Sequence, residues 1–436
     1  MPNSCKQKQY FISLTILAGM FFIFGFVSWV NSILIPYFRI ACELTHFESY
    51  FVAFAFYIAY FVMASGILLK KVGFKRGIMY GFMLTALGAF LFVPAALVRQ
   101  FEIFLIGLFS IGTGLAILQT AANPYVTIIG PIESAARRIS IMGICNKFAG
   151  IISPLIFAAL ILKADDSELF SLIESGTLDA ITKSAMLDEL IQRVIVPYAI
   201  LGGLLVLAGI GIRYSILPEI NTDEQNATDE KENGHNSKKS IFDFPYLILG
   251  ALAIFFHVGT QVIAIDTIIN YANSMGIDLL EAKVFPSYTL ACTMIGYVLG
   301  ILIIPKYVSQ TKALIICTIL GLLLSFGVVF ADFNVTLFGH QANISIFLLC
   351  ALGFPNALIY AGIWPLSIHG LGKFTKTGSS LLIMGLCGNA ILPLIYGYFA
   401  EVYDLRIGYW ILIPCFLYLI FFATKGHKIN SWKRNY

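Results

Sequence analysis

Ile141-Met142-Gly143-Ile144-Cys145 recurs further along the chain as Ile383-Met384-Gly385-Leu386-Cys387, and Pro154-Leu155-Ile156 recurs as Pro393-Leu394-Ile395. A similar offset, roughly 234–242 residues, pairs Phe21-Phe22-Ile23-Phe24-Gly25 with Phe255-Phe256-His257-Val258-Gly259. It also pairs Gly66-Ile67-Leu68-Leu69-Lys70 with Gly300-Ile301-Leu302-Ile303-Ile304. Matches that keep their order through both halves mark a duplicated unit. Every one of them lies in or beside an apolar run near the ~20 residues that cross a bilayer's hydrocarbon. Parallel repeats of membrane helices are the build of carriers that hold a small solute between the halves at mid-membrane.

Composition requires the bilayer. Of 436 residues, 58% are apolar and 12% charged, against roughly 45–50% and about 25% in a soluble domain. A water-soluble fold of this size cannot hide so much hydrocarbon behind a polar coat. The net charge of +4 gives no footing for a nucleic-acid partner. The eight cysteines, Cys5, Cys42, Cys145, Cys292, Cys317, Cys350, Cys387 and Cys415, fall mostly within apolar runs and form no Cys-x-x-Cys pair. They read as packing residues, neither disulfides nor metal ligands.

Twelve transmembrane spans are predicted, near 11–37, 49–69, 78–97, 101–123, 141–162, 195–216, 245–271, 284–304, 313–332, 343–366, 380–400 and 405–424. The fold class is thus all-α and integral to the membrane, two six-helix pseudo-repeats. The expected organisation is an N-terminal bundle over 1–216, a linker over 217–244, and a C-terminal bundle with its tail over 245–436. Lys70, Lys71, Lys75, Arg76, Arg137, Arg138, Lys306, Lys312, Lys373, Lys376 and the basic tail share one side with both termini. By the positive-inside rule that side is cytoplasmic. Residues 221–239, polar and charged, read as a flexible linker. The segment 172–193 reads as an amphipathic stretch on the opposite, outer side.

Polar side chains inside spans are costly and normally face the bundle interior. Span 1 contributes Trp29, Asn31 and Ser32; span 4 contributes Gln119, Thr120 and Asn123; span 5 contributes Asn146 and Lys147. The second half contributes His257, Gln261, Asp266, Asn356, Tyr360, Trp364 and Asn389. Amides donate to and accept from neighbouring hydroxyls, and aromatic faces cover apolar C–H surface, so the set suits a neutral polyhydroxy solute. Intramembrane amides also join helices to one another. Lys147 either lines the cavity or snorkels to the surface. Asp266, toward the outer mouth, either titrates or is solvated. No metal-ligand cluster or nucleophile–base pair stands at helical spacing, so no metal site, cofactor or enzyme activity is expected.

Several stretches carry a resemblance. Asn31-Ser32-Ile33-Leu34-Ile35-Pro36 and Gln119-Thr120-Ala121-Ala122-Asn123-Pro124-Tyr125-Val126-Thr127, running on to Gly130-Pro131, resemble the fucose permease-like sugar porters of the major facilitator superfamily. Arg138 through Lys147, Ile363-Trp364-Pro365 and Gly372 through Gly378 are similar to the bacterial glucose/galactose branch. The resemblance implies hexose import across a bacterial inner membrane by alternating access, usually by proton symport, in a multi-pass monomer with the lipid bilayer as its surroundings. Uncoupled or sodium-coupled transport is the alternative within that class, and a non-transporting sugar sensor the alternative outside it.

The chain departs from the family pattern where coupling is concerned. Ser32 stands where the pattern has Asp, and Gln119 where it has Glu. Gly143 replaces a Gln and Lys147 a small residue, while Asn146 is kept. At the repeat offset Ser32 falls opposite Asp266, which places a carboxylate at the related position of the second half.

Overall fold

The computed structural model describes residues 2–63, 74–128, 135–163, 165–174, 178–217, 240–304, 306–371 and 374–432. The loop with Gly66, Lys70 and Lys71, the turn at Gly130-Pro131, the linker 221–239 and the Gly372-Lys373 pair lie outside the described residues.

Among the described residues the long apolar helices group into twelve, several of them in two parts. The first six are α1 (Pro2–Trp29, continued by Asn31–Ala41), α2 (Phe51–Met63), α3 (Phe74–Phe90 and Phe92–Val98), α4 (Phe101–Ile128), α5 (Ala135–Ile161) and α6 (Ile195–Tyr214). The second six are α7 (Pro245–Asp266, continued by Ile268–Ser274), α8 (Phe285–Ile303), α9 (Gln310–Phe330), α10 (Ile344–Ala351 and Gly353–Ile368), α11 (Thr375–Met384 and Gly388–Val402) and α12 (Leu405–Gly408 and Leu412–Thr424). Among the described residues eleven helical spans are long and apolar enough to cross a membrane, and His46–Val62 is a shorter apolar one. Leu97, Val196, Leu207, Ile316 and Leu323 are more than half exposed along their outer faces, as lipid-facing side chains are.

Several predicted single spans are interrupted. Helix α1 starts at Pro2, so the basic N-terminal stretch is helical, and it breaks at Val30; α7 breaks at Thr267. The Ser32 hydroxyl donates to the Trp29 carbonyl at 2.9 Å, restoring a partner to a backbone group at the α1 break. The predicted amphipathic stretch is two short helices, Asp166–Glu174 and Ala180–Gln192, held by the Arg193–Asp166 ion pair at 2.7 Å.

A hairpin missed in the sequence joins α9 to α10: β1 (Asn334–Leu337) pairs antiparallel with β2 (His340–Asn343). Phe338 and Gly339 both have positive φ, 54° and 83°, the twist a two-residue hairpin turn demands. Asn343 and Arg406 hold the nearby Asp332 carboxyl below the usual carboxylate range.

The duplication is visible in how helices cross. A Cβ on Gly112 would lie 1.9 Å from the Phe56 carbonyl oxygen, and one on Gly353 would lie 2.0 Å from that of Thr289. Both pairs sit at the same place in their respective halves, where α4 crosses α2 and α10 crosses α8. Likewise the Asn146 amide donates to the Phe21 carbonyl at 3.3 Å. At the related crossing of α11 with α7, Gly388 approaches the Phe255 carbonyl so closely that a Cβ would be 1.9 Å from it.

Candidate substrate site

Midway along the bundle, α1 and α5 build one wall. Trp29 Nε1 donates to Asn146 Oδ1 at 3.4 Å, and Lys147 Nζ stands 4.1 Å from the centroid of the Trp29 ring. Gly150, one turn beyond Asn146, lets the indole lie flat: a Cβ there would be 2.4 Å from Trp29 Cδ1. Lys147 is 6% exposed, so its ammonium stays inside and the snorkelling alternative does not occur. A cation over an indole face is worth ~2 kcal/mol when desolvated.

The facing wall comes from the second half. Tyr297 of α8 lies 3.9 Å from where a Cβ on Gly143 would stand, and it lies within electrostatic reach of Tyr360. The Tyr360 ring is 5.7 Å from that of Trp364 and 6.4 Å from that of His257, centroid to centroid. His257 is buried, its Nδ1 without a partner, and lies within electrostatic reach of Lys147. The two walls therefore present Trp29, Asn146 and Lys147 toward His257, Tyr360 and Trp364.

The other expected residues are placed as follows. Gln119 is half-buried and donates through Nε2 to the Tyr60 hydroxyl at 2.8 Å. Asn31 is buried with Nδ2 unpartnered, and Asn356 is buried with both side-chain polar atoms unpartnered. Asn389 is half-buried with a free Oδ1, and Gln261 is half-buried. An amide deprived of partners in apolar surroundings is under-satisfied and ready for a ligand or water. Ser32 is fully buried and committed to the α1 backbone. Asn123 lies on α4, its side chain outside the described part. Asp266 is fully buried, so the solvated alternative is overturned; it stands nine residues beyond His257, about 13 Å along the helix axis.

Tyr60 and Tyr297 were missed. A tyrosine within an apolar run has no periodic signature that separates a site residue from a packing one. Only the Gln119 partner and the Gly143 contact bring them in.

The halves meet again at the end of the bundle remote from the termini. Arg39 Nη2 donates to Asn273 Oδ1 at 3.2 Å, and the Glu401 carboxylate accepts from the His46 and Phe47 amides at 2.9 and 3.4 Å. Nearer the middle, the Ser287 hydroxyl donates to the Ile151 carbonyl at 2.6 Å. This remote end is closed.

Twelve membrane helices with their buried polar groups gathered between the first six and the second six define a polytopic solute transporter. The chain belongs to the Major Facilitator Superfamily, whose sequence model matches residues 17–387. It is a transporter and not an enzyme. It is 32% identical, over 98% of its length and 97% of the relative's, to the glucose/galactose transporter of Brucella abortus biovar 1 (strain 9-941). It is 31% identical to the L-fucose-proton symporter of Escherichia coli (strain K12), over 96% of this chain and 94% of that one. Among solved structures it is similar to the superfamily transporter FucP in its outward conformation, with a TM-score of 0.69 and 27% identity over 98% of this chain and all of that one. The fucose permease-like resemblance seen in the sequence is thereby borne out.

Proposed function

We propose that the protein is a secondary transporter that imports a hexose of the glucose/galactose type by alternating access, driven by a proton gradient. The observation that carries this reading is full-length similarity to a glucose/galactose transporter and a fucose-proton symporter. The central set of Trp29, Asn146, Lys147, Tyr360 and Trp364 supports it. Its aromatic faces and the Lys147 ammonium, with the under-satisfied amides of Asn31, Asn356 and Asn389, match the alternating apolar and hydroxylated faces of a pyranose.

In this reading the bundles 1–216 and 245–436 rock against one another, joined by the linker 217–244, and the sugar is held between Trp29 and Trp364. The monomer sits in a bacterial inner membrane with both termini cytoplasmic, and the closed remote end faces outward. Ser32 and Gln119, which stand in place of the family carboxylates, favour a second reading, uncoupled facilitation. Uptake of radiolabelled glucose and galactose into proteoliposomes separates the two. Accumulation above equilibrium under a proton gradient supports symport, and equilibration indifferent to both proton and sodium gradients supports facilitation. Absence of counterflow with either sugar sinks both.

A further inference from the structure

Asp266 ends the first part of α7, directly before the break at Thr267. Its side chain is fully buried and neither carboxylate oxygen has a hydrogen-bond partner. One turn further, Asn270 is also fully buried, with both polar atoms of its amide unpartnered. Directly before α2, the Tyr50 hydroxyl lies beside Asn270 without completing a hydrogen bond. Three buried polar side chains left unsatisfied in one place are uncommon, because each such group costs about 1–3 kcal/mol.

The closure of the remote end makes this pocket. The Tyr50 ring is pressed against α11, where a Cβ on Gly397 would lie 2.4 Å from its Cδ2, and its centroid is 5.5 Å from that of Tyr396. Tyr396 stacks in turn near Tyr409 at 4.8 Å, and Tyr409 near Tyr271 at 5.0 Å. The titratable groups around the pocket are thus Tyr50, directly before α2, Tyr57 on α2, Tyr396 on α11 and, beyond it, Tyr409 between the two parts of α12. Tyr50 and Tyr57 are within electrostatic reach of Asp266. Arg39 of α1 is within electrostatic reach of Tyr50 and donates to Asn273. Among the described residues no cation pairs with Asp266.

An ionised carboxylate enclosed without a partner carries a penalty of several kcal/mol, whereas the neutral acid is tolerated as an ordinary polar group. The enclosed state therefore holds the acid, and the remote end closes only over a protonated Asp266. We propose that Asp266 is the proton-carrying residue of the transport cycle, standing in for the carboxylates absent at Ser32 and Gln119. The carboxylate takes one proton from the aqueous phase on the remote side while that end is open. It keeps the proton through closure and gives it up to water admitted from the opposite side before reopening. The proposal rests on the reading of the chain as a sugar symporter.

The test uses the full-length protein in proteoliposomes with labelled glucose and galactose, comparing wild type, Asp266→Asn and Asp266→Glu. The neutral Asp266→Asn protein should lose proton-driven accumulation, its internal-to-external ratio falling to 1, and should lose sugar-induced proton uptake, while counterflow continues. Asp266→Glu should regain accumulation, which separates chemistry from misfolding. Accumulation retained by Asp266→Asn overturns the proposal. So does loss of counterflow in a monodisperse Asp266→Asn protein, or wild-type accumulation driven by sodium alone. A substrate-free measurement keeps this inference separate from the sugar reading. Amide protection factors over residues 45–51 and 396–403, corrected for the intrinsic pH dependence of exchange, should rise on acidification in wild type and be insensitive to pH in Asp266→Asn. Equal pH response in both proteins overturns the proposal whatever the solute proves to be.

Discussion

Lys147 Nζ lies 4.1 Å from the centroid of the Trp29 ring, inside the bundle and next to Asn146, which accepts from the same indole. An ammonium held over an aromatic face keeps its hydrogens available to a neighbouring hydroxyl. Replacing Lys147 by Met preserves most of the stem volume and removes only the charge. The expected outcome is a rise of about tenfold in the apparent KM for sugar, the loss of one charged hydrogen bond of ~1.5 kcal/mol. The concentration dependence of counterflow measures it. An unchanged KM would take Lys147 out of the binding site.

Restoring the two family carboxylates should have opposite results. Gln119 is half-buried and faces the Tyr60 hydroxyl at 2.8 Å, which can donate to a carboxylate, so Gln119→Glu should change stability by no more than about 1 kcal/mol. Ser32 is fully buried against the α1 backbone. Ser32→Asp forces a larger polar side chain into a filled, enclosed site and leaves a carboxyl oxygen without a partner, and should cost about 2–4 kcal/mol. Thermal unfolding of the two detergent-solubilised variants decides the matter. Equal midpoints would contradict the placement of Ser32.

The glycine crossings should be intolerant in both halves alike. A methyl group on Gly112 or Gly353 would overlap a facing carbonyl, at 1.9 and 2.0 Å. Each Gly→Ala change should destabilise by about 1–3 kcal/mol through overpacking. Gly203, with nothing within 4 Å of a Cβ, should accept alanine without loss. Folded yield and Tm of the three variants give the comparison.

At the remote end Asp332 is stabilised as a carboxylate by Asn343 and Arg406. A depressed carboxyl contributes stability that is present above the unfolded value near ~3.9 and is lost as pH falls through the folded one. Between about pH 5.5 and 8 its charge is therefore constant. Asp332→Asn should leave the pH profile of transport over that range unaltered. A displaced profile would assign to the hairpin a titration that its chemistry does not supply.

Much of this architecture was legible in the residues. The apolar runs and their repeat spacing located the spans, because a bilayer accepts only segments that satisfy their backbone internally. The resemblance at Gln119 through Thr127 located the family. The breaks at Val30 and Thr267 and the hairpin at Phe338-Gly339 were not foreseen. The breaks carry no proline or glycine at the interrupted residue, and the hairpin is too short to show its period among longer signals.

The order of residues alone is enough to show that the chain crosses the membrane about twelve times and which side chains break the apolar pattern, since both follow from local composition. It could list Ser32, Lys147 and Asp266 as polar groups, but it could not say which of them is enclosed with a partner and which without. That depends on how distant helices pack. Ser32 is committed to the Trp29 carbonyl, Lys147 lies over the Trp29 ring, and Asp266 is shut in without a partner. The physical reason is that the energy of a buried polar group depends on neighbours brought from distant parts of the chain, here α5 folded onto α1 and α2 closed against α11.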